Sequence, residues 1–184
     1  MSPATRQRNP RGEGARLREP LIDAAVAVIA EVGDMSKVSV RAVTKRAGVS
    51  PTALYLHFGD RDAIVDAAVD KGFEAFNTAI LEAAAGQSGS RDRLRAMGLA
   101  YLAFARDQPH LYFVIFSAAR SSKGEAEVDR GAAFDALVET AGSPDVAVAL
   151  WAGLHGYATL ADTVTAKDFP PHGAFVERML DAYL

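Results

Sequence analysis

The 184 residues suffice for one compact unit, or two small domains sharing an interface, with a sizeable buried core. No cysteine is present, which excludes a disulfide framework, a thiolate metal site and a cysteine nucleophile. The formal net charge of −3 hides a split: residues 1–58 carry 9 Lys and Arg against 5 Asp and Glu, and residues 59–184 carry 11 against 18, so the N-terminal end is drawn to phosphate and the acidic body is not.

Residues 1–15 lack hydrophobic periodicity and read as a flexible basic arm in which Arg6, Arg8 and Arg11 stand among Pro and Gly. The arm has no apolar stretch of the signal-peptide kind, and the longest apolar run, Ala24 to Ala30, is far short of the roughly 20 residues that span a bilayer. A cytoplasmic protein with no membrane partner is expected. From Arg16, the apolar positions Leu17, Leu21, Ala24, Ala25, Val28, Ile29 and Val32 recur at helical spacing until Gly33 ends the run.

Two short helices follow, at about 39–46 and 51–57. Ser39 is placed to cap the first, Ala47-Gly48-Val49 makes the turn, and Ser50 caps the second with Pro51 in its first turn, where a missing N–H costs nothing. Val40, Val43, Ala47, Val49, Leu54 and Phe58 can pack inward, leaving Arg41, Lys45, Thr52, Tyr55 and His57 outside. A helix-turn-helix presents such a second helix to the DNA major groove.

Asp60 caps a long fourth helix at 61–85, whose apolar stripe runs from Ile64 to Leu81 and is broken by Gly86-Gln87-Ser88-Gly89-Ser90. Beyond it, helical patterns recur at about 91–106, 108–118, 124–141, 144–166 and 172–183, with no convincing strand, so the chain reads as all-α with about nine helices. The domains expected are the arm at 1–15, a helix-turn-helix domain at 16–60 and a second helical domain at 61–184. No HExxH, glycine-rich phosphate loop or Ser-His-Asp order appears, although His110, His155 and His172 have Asp107, Asp162 and Asp168 in the same half of the chain. An enzyme is therefore not expected, nor is a metal or cofactor.

The stretch from Leu17 to Ala68, and above all Ala47-Gly48-Val49-Ser50-x-x-x-Leu54-Tyr55-x-His57-Phe58, resembles the N-terminal domain of the tetracycline-repressor (TetR) family of transcriptional regulators. Thr44 departs from the family's frequent Ala, and Arg61 from its usual Lys. The resemblance implies a homodimer on a near-palindromic operator in double-stranded DNA. Arg41, Pro51, Thr52 and Ala53 are then candidates for base edges, and Thr44, Lys45, Tyr55, His57 and Arg61 for phosphates. The arm arginines would enter the minor groove beside the operator.

It also implies a C-terminal domain that receives a small-molecule effector and dimerises. Tyr101, Phe104, Tyr112, Phe113, Phe116, Trp151 and His155 are the candidate ligand-binding residues, offering aromatic walls with a few polar groups. Trp151-Ala152-Gly153-Leu154-His155-Gly156 resembles the Trp-x-x-x-His-Gly signature of one subgroup of these domains. Helix eight and the last helix would form the dimer contact, through Leu150, Gly153, Tyr157, Leu160, Phe175 and Met179. The function implied is a repressor released from its operator by a largely apolar effector. The alternative is a dimeric DNA-binding protein of the same fold that senses no small molecule.

Overall fold

The computed structural model describes residues 14–118, 131–161 and 168–184. The basic arm expected at 1–15, the seventh helix expected at 124–141 and the eighth at 144–166 fall wholly or partly outside the described residues. Among the described residues every regular element is helical: α1 (Gly14–Val32), a 3-10 turn (Met35–Lys37), α2 (Val40–Ala47), α3 (Pro51–Tyr55), α4 (Arg61–Ala85), α5 (Ser90–Asp107), α6 (Pro109–Ala118), α7 (Ala132–Ala141), α8 (Pro144–Leu160) and α9 (His172–Tyr183).

The residues fall into two compact units, divided between Val69 and Asp70 inside α4. In the first, Leu21, Ala25 and Ile29 of α1 are buried with Val43 of α2, Leu54 of α3, Phe58, and Ile64 and Ala68 of α4. Their spacing of three and four residues along α1 and α4 is what puts each set on one face. In the second unit α5 packs against α6, α7, α8 and α9, and α8 also packs against α7 and α9. The core there joins Phe76 and Ile80 of α4 to Tyr101, Leu102 and Phe104 of α5, Ile115 of α6, Leu137 of α7, Leu150 and Leu154 of α8, and Val176 and Leu180 of α9.

Local differences from the sequence expectation have local causes. The 3-10 turn at Met35–Lys37 is too short to carry a periodic signal, and the Asp34 carboxylate fixes it by accepting from the Ser36 amide at 2.9 Å. Helix α3 stops at Tyr55, not 57, because the amides of His57 and Phe58 both turn back to the Leu54 carbonyl, at 2.9 and 3.0 Å. α8 ends at Leu160, with Ala161 as its C-cap.

Candidate DNA-binding face and effector site

The α2–turn–α3 geometry follows from three caps. Ser39, with extended backbone, accepts from the Ala42 amide at 3.2 Å, and Ser50 accepts from the Ala53 amide at 3.3 Å. Between them Gly48 sits at φ 70°, a left-handed position that favours glycine, and its amide reaches the Lys45 carbonyl while the Val49 amide takes that of Thr44 at 2.9 Å. These bonds use up the helix-end groups and leave side chains to define the outer face.

On that face Arg41, Lys45, Pro51, Thr52 and Tyr55 are exposed, and Ala53 and His57 are half-buried. No ion pair of Arg41 or Lys45 occurs among the described residues, whereas the neighbouring Arg46 is paired with Glu31. Two expected members are placed differently. Thr44 is only 2% exposed and donates its hydroxyl to the Arg41 carbonyl at 3.3 Å, so it belongs to the core of the helix pair. Arg61 spends its guanidinium internally: Nε donates to the Val38 carbonyl at 3.0 Å, a second nitrogen to the Met35 carbonyl and a third to Asp62.

Sequence reasoning passed over two residues here. Leu56 is 79% exposed directly after Tyr55, an apolar side chain on an otherwise polar face. Arg18 of α1 lies over the Phe58 ring, 5.3 Å from its centroid, and braces the end of the motif through a cation–π contact.

In the second unit the expected aromatic residues do converge. Tyr101, Phe104, Phe116 and Trp151 surround Phe76, which meets each ring edge-on at 5.2–6.1 Å. Tyr112 and His155 lie against Phe116 at 4.6 and 4.5 Å between centroids. Phe113 is half-buried and belongs to none of these ring contacts, while Phe134 of α7, not anticipated, stands edge-on to Trp151 at 5.4 Å.

The polar centre of the cluster is a triangle. The Tyr112 hydroxyl is 2.7 Å from His155 Nδ1, and the Tyr101 hydroxyl is 3.2 Å from both. Burial pushes the Tyr101 and Tyr112 phenols up from their ordinary values and holds His155 below its own, so all three are neutral near pH 7. Within this core the void beside Tyr101 and Trp151 is about 10 Å³, room for one water at most.

A cavity of about 480 Å³ lies elsewhere, at the C-terminal end of α5 and the start of α9, lined by Leu102, Arg106, Pro109, Tyr157, Pro170 and His172 among others. The Arg106 guanidinium beside it is already held by Asp107 at 2.7 and 2.9 Å.

The residues expected to dimerise divide. Leu150 and Tyr157 are buried within their own chain, the Tyr157 hydroxyl donating to the Pro170 carbonyl at 2.6 Å. Gly153 is covered by Met179, whose Cε would lie 2.8 Å from a Cβ at that position. Phe175 is half-buried on the Tyr157 ring at 4.4 Å, and Leu160 is 49% exposed. Val148, 55% exposed on the same helix, was not anticipated.

Among the described residues no helix is long and apolar enough to cross a membrane, and no group of three or more His, Asp or Glu is arranged to hold a metal ion. Curated proteins give no match to the chain. Among solved structures, similarity is found to a protein of unknown function from Rhodococcus sp. RHA1 (28% identity, TM-score 0.76, covering 96% of this chain and 97% of that one). A TetR family transcription regulator from Marinobacter aquaeolei VT8 shares the fold at 18% identity and TM-score 0.77, covering 94% and 98% of the two chains. FadR from Bacillus subtilis, solved in complex with stearoyl-CoA, does so at 16% and 0.66, covering 90% and 96%. The family model described as "Bacterial regulatory proteins, tetR family" matches residues 21–68, and that of the "Tetracyclin repressor-like, C-terminal domain" matches residues 94–183. With the helix-turn-helix and the all-helical second unit already in place, these matches make the chain a member of the TetR family of transcriptional regulators, and not an enzyme.

Proposed function

We propose that the protein is a homodimeric repressor, working in the cytoplasm, that leaves a near-palindromic operator when a small, largely apolar effector enters the second unit. The observation that carries this reading is the face formed by Arg41, Lys45, Thr52 and Tyr55, exposed together on a capped helix pair. Arg41 offers guanine a two-pronged donor, Thr52 and Ala53 offer methyl groups to thymine, and Pro51 packs beside them. Lys45, Tyr55 and His57 hold phosphates and fix register.

The second unit supports an effector site by its aromatic wall and its neutral polar triangle. The FadR neighbour was solved in complex with stearoyl-CoA, but among the described residues no cation acts on Tyr101, Tyr112 or His155, so the triangle itself suits an uncharged group better than an acyl-CoA headgroup. An effector acts by preferring a conformation in which the two recognition helices are wrongly spaced, with α4, shared by both units, as the connecting lever. The closed packing around Tyr101 and Trp151 favours the second reading, a dimeric DNA-binding protein that senses no small molecule.

In vitro selection from random duplexes tests the first step: enrichment of a palindrome is expected, and a pool that stays random removes the proposal. A thermal-shift screen with the full chain separates the two readings, because only a sensor is stabilised by ligands.

A further inference from the structure

Three helices each deliver one polar atom to a single point: Tyr101 from α5, Tyr112 from α6 and His155 from α8. A neutral imidazole nitrogen has either one lone pair or one hydrogen to offer, so His155 Nδ1 cannot bond both hydroxyls fully. The 2.7 Å contact makes Tyr112 its closer partner, and the two 3.2 Å contacts leave Tyr101 as the loosely bound member. His155 Nε2 has no hydrogen-bond partner among the described residues, while the Thr159 hydroxyl, which donates to the His155 carbonyl at 2.8 Å, also bonds Tyr112. The triangle thus keeps a spare ring nitrogen and a loosely held Tyr101 hydroxyl.

Among the described residues no charged side chain perturbs the site: burial depresses His155; burial, then the neighbouring Tyr112, raises Tyr101; and burial raises Tyr112, with no Lys, Arg, Asp or Glu acting on any of the three. A carboxylate or phosphate brought here gives up its water and meets no cation among the described residues. A hydroxyl both donates and accepts, so it can answer the spare ring nitrogen and the loosely held Tyr101 hydroxyl together.

The walls set the rest of the ligand. Phe76, Phe116 and Trp151 stand edge-on or tilted to Tyr101 at 5.2–6.1 Å. A planar guest substitutes for one ring in such an array and keeps the edge-to-face geometry, whereas an alkyl chain forfeits it and loses rotamer freedom as well. The rings of Tyr112, Phe116 and His155 pack on one another at 4.5–5.8 Å beside the triangle, so a guest must displace side chains, and Tyr112 and Phe116 on α6 are only half-buried.

We propose that the effector is an uncharged hydroxyaryl molecule whose oxygen is held by Tyr101, Tyr112 and His155 and whose ring displaces the α6 rings. This rests on the reading of the second unit as a small-molecule sensor.

The test uses the full chain, four probes (4-hydroxybiphenyl, biphenyl, biphenyl-4-carboxylate and hexadecanoate) and the fluorescence of Trp151, the one tryptophan in the sequence. 4-Hydroxybiphenyl is expected to bind at least about tenfold more tightly than the other three, a difference of about 1.4 kcal/mol. In Tyr112→Phe and in His155→Leu that advantage should shrink to about threefold or less while biphenyl binding persists, which shows that the variants still fold. A carboxylate or hexadecanoate that binds as well as the phenol overturns the chemical class, as does a phenol preference that survives both variants. If either acid also lowers affinity for an operator selected in vitro, the sensor reading stands although this inference falls. No response to any probe overturns the inference, and a thermal-shift screen that also finds no stabilising ligand removes the sensor reading with it.

Discussion

Arg61, the first residue of α4, donates from Nε to the carbonyl of Val38 at 3.0 Å, and so ties the start of one helix to the segment that leads into another. A second nitrogen of the same guanidinium takes the Met35 carbonyl, a pairing that a fixed fork of donors can make and a single ammonium cannot. Arg61→Ala is expected to lower the stability of the first unit by about 1–3 kcal/mol, read by urea denaturation. The same variant separates a clamp from a phosphate ligand. Removing a side chain that binds phosphate shallows the slope of log affinity against log salt by about 1 for each phosphate no longer neutralised, whereas removing a clamp leaves the slope alone; the unchanged slope is expected.

How far the sequence could be read depends on the range of the interaction. The caps at Ser39 and Ser50 and the turn at Gly48 are local, so α2 and α3 are visible in the order of residues alone. Thr44 and Arg61 stand as phosphate candidates by resemblance to the family, yet each is claimed by a carbonyl, that of Arg41 for the first and those of Met35 and Val38 for the second. The Arg61 partners lie 23 and 26 positions away, which no pattern of spacing encodes. The aromatic cluster is legible as composition, since Tyr and Phe crowd α5, α6 and α8; the meeting of Tyr101, Tyr112 and His155 at one point is not, because it depends on how three helices cross.

Replacing Arg41 by Ala tests the base-reading role directly. Affinity for a selected operator should fall by about 1–3 kcal/mol, with discrimination relaxed at one position in each half-site. Lys45→Ala should instead weaken binding evenly across sequences and shallow the salt slope by about 1 for each phosphate no longer neutralised. Loss of sequence preference in Lys45→Ala with none in Arg41→Ala would reverse the two assignments.

Gly72 of α4 lies against α6: a Cβ built there would lie 2.5 Å from Ile115 Cγ2 and 3.6 Å from the Leu111 carbonyl. A methyl group at this site forces α6 outward or strains Ile115, at a cost of about 1–3 kcal/mol. Gly72→Ala should therefore lower the melting temperature, and Ile115→Leu, which has no second γ-carbon on its β-carbon and so lacks the Cγ2 methyl that the new Cβ would meet, should recover part of the loss in the double variant. Additive losses in that cycle would show that the two residues do not press on each other.

Stability should depend on pH through His155. Burial lowers its pKa below the ordinary 6.5, so the unfolded chain takes up a proton at a higher pH than the folded one. The neutral form's contribution is complete above about 6.5 and declines as the pH falls below it. The raised phenols of Tyr101 and Tyr112 act at the other end: above about 10 the unfolded chain releases protons that the folded chain keeps, and stability falls as pH rises. In His155→Gln the melting temperature should vary less between pH 7 and pH 5 than in the unmodified chain, with no change in the alkaline limb. Equal acid dependence in both proteins would place the titrating group elsewhere.

The proposed homodimer has a more specific surface than the sequence indicated. Leu150 and Tyr157 are buried in their own chain and Gly153 lies under Met179, but Val148, Ala152, Gly156 and Leu160 form a ridge at four-residue spacing on α8, with Val148 55% and Leu160 49% exposed and open space over Gly156. Ridges of this spacing pack into each other across crossed helices, and the small residues at 152 and 156 let two backbones approach. A paired substitution of Val148 and Leu160 by Glu should give a monomer by light scattering at micromolar concentration, with the melting temperature little changed, because both side chains point out of the core. Leu150→Ala should do the opposite, costing about 2–5 kcal/mol of stability without changing the association state. Since a monomer engages only one half-site, the Glu pair should also lose most operator affinity while keeping the same preferred half-site sequence. A dimer that survives both Glu substitutions would move the contact off this ridge.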